Sequence, residues 1–159
     1  MGKKERCQLI NQLLEVISKQ DRGFFETKGN LAEFEIRNNR VYFIDDYTRK
    51  AICAYSELNR RHWGFSHGGT LWALVNDFRE WIVTGKYSDG NNGYGGLYAT
   101  CWGVSITTKD NIIEKAKEIG YLPQDAISYK EFCKRLVEKG CEWQLGYSKD
   151  EIKKELGIA

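Results

Sequence analysis

The stretch Gly64-Phe65-Ser66-His67-Gly68-Gly69-Thr70-Leu71 joins a glycine-rich turn to an apolar run with helical spacing. The run continues to Gly85 and places six large apolar side chains on one helix face: Leu71, Leu74, Val75, Phe78, Trp81 and Ile82. This pattern predicts a long amphipathic helix that is capped by Thr70 and ends at Gly85. Because the first N–H groups of a helix are unpaired and partly positive, an anion is expected to bind at its start.

Upstream of this turn, short segments with period-two alternation predict an antiparallel meander of three or four strands. Residues 31–37 alternate apolar and charged side chains, Asn38-Asn39 fits a primed turn, and strands at 41–46 and 51–55 follow. Apolar residues at helical spacing over residues 5–19 predict an N-terminal helix. We therefore expect an α+β fold in which the long helix packs on the sheet.

Downstream, a glycine- and tyrosine-rich loop over residues 86–103 precedes three short helices. These helices are predicted at residues 107–119, 128–139 and 148–156. The last two open with Ser128-x-x-Glu131 and Ser148-x-x-Glu151, which match the capping box. We expect a single α+β domain over residues 1–122, and a C-terminal helical extension over residues 123–159 that packs on it.

Composition excludes several classes of protein. The 159 residues include 24 Lys and Arg against 22 Asp and Glu, a net charge of +2. This near balance argues against an extended nucleic-acid partner. No apolar run approaches a membrane span or a signal peptide, and the five cysteines form no C-x-x-C pair. We expect a cytoplasmic protein with reduced thiols, no cofactor and no metal.

The glycine-rich turn has the residues of a phosphate site. Gly68 and Gly69 would let backbone N–H groups approach a ligand, and Ser66, His67 and Thr70 would line the turn. Just upstream, two arginines and a tryptophan could bind phosphate and stack on a base: Arg60, Arg61 and Trp63. The alternative is an ordinary glycine turn before a capped helix, with both arginines solvated.

Aromatic side chains in the glycine-rich loop could complete a ligand site. Tyr94 and Trp102 are the candidates, since flat rings stack on bases. A packed surface loop with its aromatic side chains in the core is an equal alternative.

Gly64-x-Ser66-x-Gly68 also matches the nucleophile elbow of serine hydrolases. That elbow requires an apolar strand before the serine, yet residues 59–63 are mostly polar. It also requires a later histidine, and the chain has only His62 and His67. A small hydrolase using Ser66 is therefore a minor alternative, and no catalytic residue is predicted.

Asp45-Asp46, at the end of a predicted strand, could bind a metal ion or act as a base. No carboxylate or histidine is suitably spaced in the sequence to complete a metal site. The pair is therefore predicted to cap a turn.

The run from Arg61 to Leu71, with its Trp-Gly-Phe-Ser-x-Gly-Gly-Thr-Leu core, resembles a family of small uncharacterised phage and prophage proteins. Residues 41–48 and Cys101-Trp102-Gly103 resemble the same family, over a match of about residues 8–122. By analogy, the resemblance implies a phage counter-defence setting, in which some small proteins sequester cyclic nucleotide or ADP-ribose-type signals.

Three functions are consistent with these features. The leading hypothesis is a non-enzymatic protein that binds and sequesters a phosphorylated small molecule and assembles at least as a dimer. The second is a protein–protein inhibitor of a host defence factor. The third is the small hydrolase.

Overall fold

The computed structural model describes residues 1–53, 64–87, 96–100 and 102–157. These residues form a mixed helix and sheet structure, which confirms the predicted α+β class. Five helices are described: α1 (Lys3–Ser18), α2 (Gly69–Thr84), α3 (Ile106–Glu118), α4 (Tyr129–Glu138) and α5 (Lys149–Leu156). Five strands are described: β1 (Glu26–Thr27), β2 (Asn30–Leu31), β3 (Glu33–Arg37), β4 (Arg40–Ile44) and β5 (Ala51–Ile52). A short 3₁₀ helix, which the sequence analysis did not predict, spans Glu142–Leu145.

The predicted meander is the antiparallel sheet β3-β4-β5, with β4 in the centre. Asn38 and Asn39 both have positive φ angles, of 50° and 65°, as the predicted primed turn requires. The register places Phe34 of β3 opposite Phe43 of β4, and both side chains are buried. Strands β1 and β2 form a separate antiparallel pair and do not extend the meander.

Helices α1 and α2 pack against each other and against the sheet. The apolar face of α1 is fully buried: Ile10, Leu13, Leu14 and Ile17. Arg6 also ties the start of α1 to the end of α2, because its Nε donates to the Ile82 carbonyl at 3.0 Å. The predicted end of α2 is confirmed, since Gly85 adopts the left-handed conformation and its N–H donates to the Trp81 carbonyl.

The predicted cap of α2 is wrong by two residues. Gly68 occupies the N-cap position, and Thr70 lies inside the first turn of the helix. Gly68 has the extended backbone typical of an N-cap, with φ −76° and ψ 179°, and no side chain caps the helix. Both glycine and threonine are acceptable N-cap residues, so propensity alone did not place the helix start.

The chain divides into two compact units, Met1–Gly96 and Leu97–Ala159. This division falls before α3, whereas the sequence analysis placed a boundary at residue 122. Helix α3 groups with the later helices because Asp110 accepts the Tyr129 backbone N–H at 2.6 Å. That the C-terminal helices pack on the first domain stays a prediction.

Serine side chains cap the three helices of the second unit. The N-cap serines of α3, α4 and α5 each accept a hydrogen bond from the backbone N–H three residues later: Ser105 from Thr108, Ser128 from Glu131 and Ser148 from Glu151. The helix starts predicted from Ser128 and Ser148 are therefore confirmed.

Four of the five cysteines lie in the described ranges, and all four are free thiols: Cys7, Cys53, Cys133 and Cys141. Burial raises the pKa of Cys7 to about 11 and that of Cys133 to about 12. These two thiols therefore stay protonated at neutral pH. Among the helices described, none has the length and apolar character needed to cross a membrane.

We expect Ser128→Ala to lower the free energy of unfolding of the second unit by about 1 kcal/mol, because the Glu131 N–H loses its acceptor. Chemical denaturation followed by circular dichroism measures this change. Ser18→Ala is the control, since the Ser18 hydroxyl donates to the Glu15 carbonyl at the end of α1 and caps no helix start. An equal loss in both variants would contradict the capping role.

Candidate functional site

The glycine-rich turn lies against the end of β4, where Asp45 and Asp46 follow the strand. Both aspartates are almost fully buried, with exposed fractions of 0% and 1%. Gly64 begins the described part of the turn with a φ of 93°, a backbone conformation that favours glycine. A Cβ atom there would lie 2.7 Å from the Lys50 side chain, so the position also requires the absence of a side chain.

Asp45 is the anchor of the turn. One carboxylate oxygen accepts the Tyr47 and Thr48 backbone N–H groups at 3.0 and 2.9 Å, and also lies 3.3 Å from the Thr48 hydroxyl. The other accepts the Ser66 backbone N–H at 2.9 Å and the Ser66 hydroxyl at 3.0 Å. The predicted turn-capping role is confirmed. The bonds to Ser66, which sequence analysis missed, attach the turn to the sheet.

Asp46 and His67 form a second link between the strand end and the turn. His67 Nε2 lies 2.7 Å from Asp46 Oδ1, and the Thr27 hydroxyl donates to Asp46 Oδ2 at 2.7 Å. Burial opposes ionisation of Asp46, but the hydrogen bonds from His67 and Thr27 outweigh it and hold the pKa below its ordinary value. Asp46 is therefore an acceptor, and His67 Nε2 carries the hydrogen.

The His67 ring is held in place on several sides. Its centroid lies 5.0 Å from that of Phe25 and 5.7 Å from that of Phe65, both in edge-on geometry, and Phe24 lies further out. With Nε2 bonded to Asp46, the second nitrogen, Nδ1, remains for another partner. No residue in the described ranges hydrogen-bonds to Nδ1.

His67 lies close to Asp45 and Asp46, so the prediction that no histidine completes this group is wrong. One potential ligand atom from each of Asp45, Asp46 and His67 lies within 4.8 Å of the others. The sequence places His67 21 residues after Asp46. Only the packing of the turn on β4 brings them together, and no local spacing shows this. Asp45 already accepts hydrogen bonds from three residues, so a metal ion would have to displace several of them.

The geometry does not activate Ser66 as a nucleophile. A serine nucleophile needs an adjacent base that takes its proton, with that base oriented by a third group. The Ser66 hydroxyl instead donates to the buried Asp45, which already accepts several backbone N–H groups. His67 is oriented by Asp46, but no hydrogen bond joins it to Ser66 in the described structure.

An open cleft of about 520 Å³ lies over the strand end and the turn. Its walls include two predicted site residues, Ser66 and His67; the other lining residues are Glu26, Thr27, Asp46, Tyr47 and Thr48. The opening of α2 follows directly along the chain. There, Gly68 and Gly69 are exposed and Thr70 is half-buried.

The backbone N–H groups of Gly69, Thr70 and Leu71 donate to no residue in the described ranges. Trp72 is the first whose N–H enters the helical pattern, with a bond of 3.0 Å to the Gly68 carbonyl. The start of α2 therefore offers a set of unpaired donors beside the cleft residue His67.

The remaining predicted site residues do not line the cleft in the described structure. Trp102 belongs to the second unit and is buried, with Lys109 Nζ 4.0 Å from its ring centroid. That ammonium group covers the ring where a ligand was expected to stack. Four predicted residues lie outside the described ranges: Arg60, Arg61, Trp63 and Tyr94.

Comparison with known proteins identifies the family. The YoqU family model matches residues 1–144. The chain belongs to the YoqU family. It is 35% identical over 120 residues to the SPbeta prophage-derived uncharacterized protein YoqU of Bacillus subtilis strain 168. That alignment covers 74% of the chain and 83% of the relative. No solved structure matches the chain.

The YoqU match agrees with the prophage origin that the sequence resemblance implied. The match extends beyond residue 122, where the sequence resemblance was expected to end, and includes all of α4. Both links from β4 to the turn therefore lie within the matched region.

We expect Asp46→Asn to lower the free energy of unfolding at pH 7 by about 1.5–3 kcal/mol, because a buried charge-assisted hydrogen bond is lost. The folded-state pKa of Asp46 is lowered, so its stabilisation is full above the unfolded pKa of about 3.9. It is lost as the pH falls through the folded pKa. The difference between the wild type and the variant should therefore shrink below about pH 4.

Denaturation at a series of pH values measures this difference. Glu80→Gln, an exposed position on α2, is the control and should show little difference at any pH. A constant difference for Asp46→Asn from pH 7 to strongly acidic pH would contradict the ionised pair.

Proposed function

We propose that this YoqU-family protein binds and sequesters a phosphorylated small molecule without turning it over. The proposed ligand is a cyclic nucleotide or ADP-ribose-type signal of host defence, and the proposed setting is phage counter-defence. The observation that carries the proposal is the uncapped start of α2, which is exposed at Gly68 and Gly69 and follows a histidine that a buried aspartate orients. The prophage family supports the setting.

The amides of α2 would bind the phosphate. The first turn of a helix carries roughly half a positive charge together with its unpaired N–H groups. Gly68 and Gly69 have no side chain that would keep a ligand away, and a Cβ atom at Gly68 would meet no atom within 4 Å. An anion can therefore approach these amides closely.

The buried carboxylates do not occupy this site. Asp45 accepts hydrogen bonds from Ser66 and from the turn after β4, and Asp46 is hydrogen-bonded to His67 and Thr27. Neither accepts a hydrogen bond from Gly69, Thr70 or Leu71. In the protonated state, His67 would donate from Nδ1 to a phosphate oxygen while Asp46 balances its charge.

The proposed ligand remains intact because no described group is set up to attack it. Ser66 is bonded to Asp45 and lines the cleft as a polar contact. Arg60 and Arg61 would add phosphate contacts, and Trp63 or Tyr94 would stack on a base. Assembly as at least a dimer remains part of the proposal.

A protein–protein inhibitor is the second candidate, and one observation favours it. Trp143 is 77% exposed in the second unit. Tryptophan is enriched among the residues that dominate binding energy at protein interfaces. This candidate needs no small molecule, so a ligand screen separates it from the first.

The screen measures thermal unfolding with cyclic dinucleotides and ADP-ribose isomers. A ligand at 100 times its dissociation constant should stabilise the protein by about 2.7 kcal/mol. Mass spectrometry after denaturation should recover the ligand unchanged. A panel without any stabilising compound would count against sequestration, and a processed ligand would support the hydrolase.

Gly68→Asp should change stability and ligand binding in opposite directions. The new carboxylate caps α2 and should raise the free energy of unfolding without ligand by about 0.3–1 kcal/mol. It also occupies the amides and repels phosphate, so the ligand-induced stabilisation should disappear.

Gly68→Ala is the matched control, because it adds a Cβ atom in open space and no acceptor. It should lower the stability slightly and keep ligand binding. Both quantities come from thermal unfolding with and without ligand. An aspartate variant that binds like the wild type would exclude the helix start as the phosphate site.

A further inference from the structure

The open cleft over the glycine-rich turn is acidic. Its described lining residues include two carboxylates, Glu26 and Asp46, and neither a lysine nor an arginine. Asp46 is paired with His67, whereas Glu26 is exposed. Like charges repel, so a phosphate is disfavoured inside the cleft. An uncharged part of a ligand that donates hydrogen bonds suits the cleft better, and the volume of about 520 Å³ is ordinary for a small-molecule site.

An exposed aromatic ring forms part of the cleft wall. Tyr47 lines the cleft and is 69% exposed. In the part of the chain that the structure describes, the other exposed large apolar residues, Met1 and Trp143, do not line the cleft. A flat ligand ring stacked on Tyr47 would withdraw both surfaces from water, which is favourable.

The backbone of Tyr47 is held by the same carboxylate that anchors the turn. The Tyr47 N–H donates to Asp45 Oδ2 at 3.0 Å, and Asp45 Oδ1 accepts the Ser66 N–H at 2.9 Å. A single buried side chain therefore joins Tyr47 to the turn that leads into α2. Because a tyrosine has only two side-chain torsions, ordering its ring against a ligand costs little entropy.

Glu26 places a hydrogen-bond acceptor in the same cleft. Its Oε1 accepts the Gly29 backbone N–H at 2.6 Å, which restrains the side chain. No residue in the described ranges donates to its second oxygen, Oε2. A carboxylate only accepts hydrogen bonds when ionised, and acidic side chains accept from the amino groups of bases.

We propose that this cleft binds a nucleobase that carries an exocyclic amino group. The Tyr47 ring would stack on the base, and Glu26 Oε2 would accept a hydrogen bond from the amino group. This inference rests on the proposed function, in which the first amides of α2 hold the phosphate. Adenine, guanine and cytosine carry such an amino group, whereas uracil and hypoxanthine have an oxo group instead.

Calorimetry with pyrophosphate, ADP and inosine diphosphate tests the inference on the full-length protein. Pyrophosphate reports the phosphate site alone. Inosine diphosphate has an oxo group in place of the amino group of ADP, so the two nucleotides differ where Glu26 would bind. ADP should bind about tenfold more tightly than inosine diphosphate, as one hydrogen bond to a charged acceptor predicts.

Tyr47→Ala should weaken ADP binding about tenfold, because the base loses its stacking partner, and leave pyrophosphate binding within about twofold. Tyr47→Phe is the matched control, since it keeps the ring and should bind ADP within about twofold of the wild type. The melting temperature of Tyr47→Ala should stay close to that of the wild type, because the side chain is largely exposed.

Glu26→Gln should abolish the preference for ADP over inosine diphosphate. The glutamine amide can still accept the Gly29 N–H, and its NH₂ group can donate to the oxo group of hypoxanthine. Equal binding of the two nucleotides by the wild type would overturn the role of Glu26 and, with it, the class of base.

The outcomes separate the base site from the phosphate site. Pyrophosphate binding without ADP binding would overturn the base site and leave the phosphate site standing. ADP binding that Tyr47→Ala leaves unchanged, or that it weakens no more than pyrophosphate binding, would also overturn the base site. If neither pyrophosphate nor ADP binds, the proposed function fails, and the base site fails with it.

Discussion

The burial of two carboxylates constrains how the glycine-rich turn packs on β4. Asp45 and Asp46 follow β4 in the interior, where an unpaired carboxylate would be strongly unfavourable. Hydrogen bonds to the two carboxylates offset the cost of burying them. The donors include Ser66, Thr48, Thr27 and His67. The same bonds fix the backbone that leads into α2. The helix opens where it does because the turn before it is attached to the sheet.

The buried carboxylates and the unpaired amides of α2 therefore have different partners. The carboxylates accept from the turn and from β1, while the first amides of α2 remain unpaired and exposed at Gly68 and Gly69. An acidic cluster near a helix start would ordinarily argue against anion binding. Here the carboxylates accept hydrogen bonds from the turn and from β1, so they leave the first amides of α2 unpaired.

Local patterns predicted the elements well and the contacts between them poorly. Alternation and turn residues located the β3-β4 hairpin at Asn38-Asn39, and serine caps located α4 and α5. These features depend on neighbouring residues alone. The start of α2 was misplaced because glycine and threonine both suit an N-cap.

The contacts that build the site depend on tertiary packing. The pairing of His67 with Asp46 joins residues far apart in sequence, and no spacing rule indicates it. Trp102 was predicted to stack on a ligand, but an aromatic residue after a glycine-rich stretch can equally belong to a core. Lys109, whose ammonium group lies over the Trp102 ring, is on the following helix.

The attachment of Ser66 to Asp45 has a further consequence for variation within the family. It closes a loop that includes residues 54–63, and the entropic cost of closing a loop rises only slowly with its length. Relatives could therefore lengthen or diversify that connection, which contains both arginines, while the anchored turn stays unchanged. Under the proposed function, ligand preference could then evolve separately from the anchored turn.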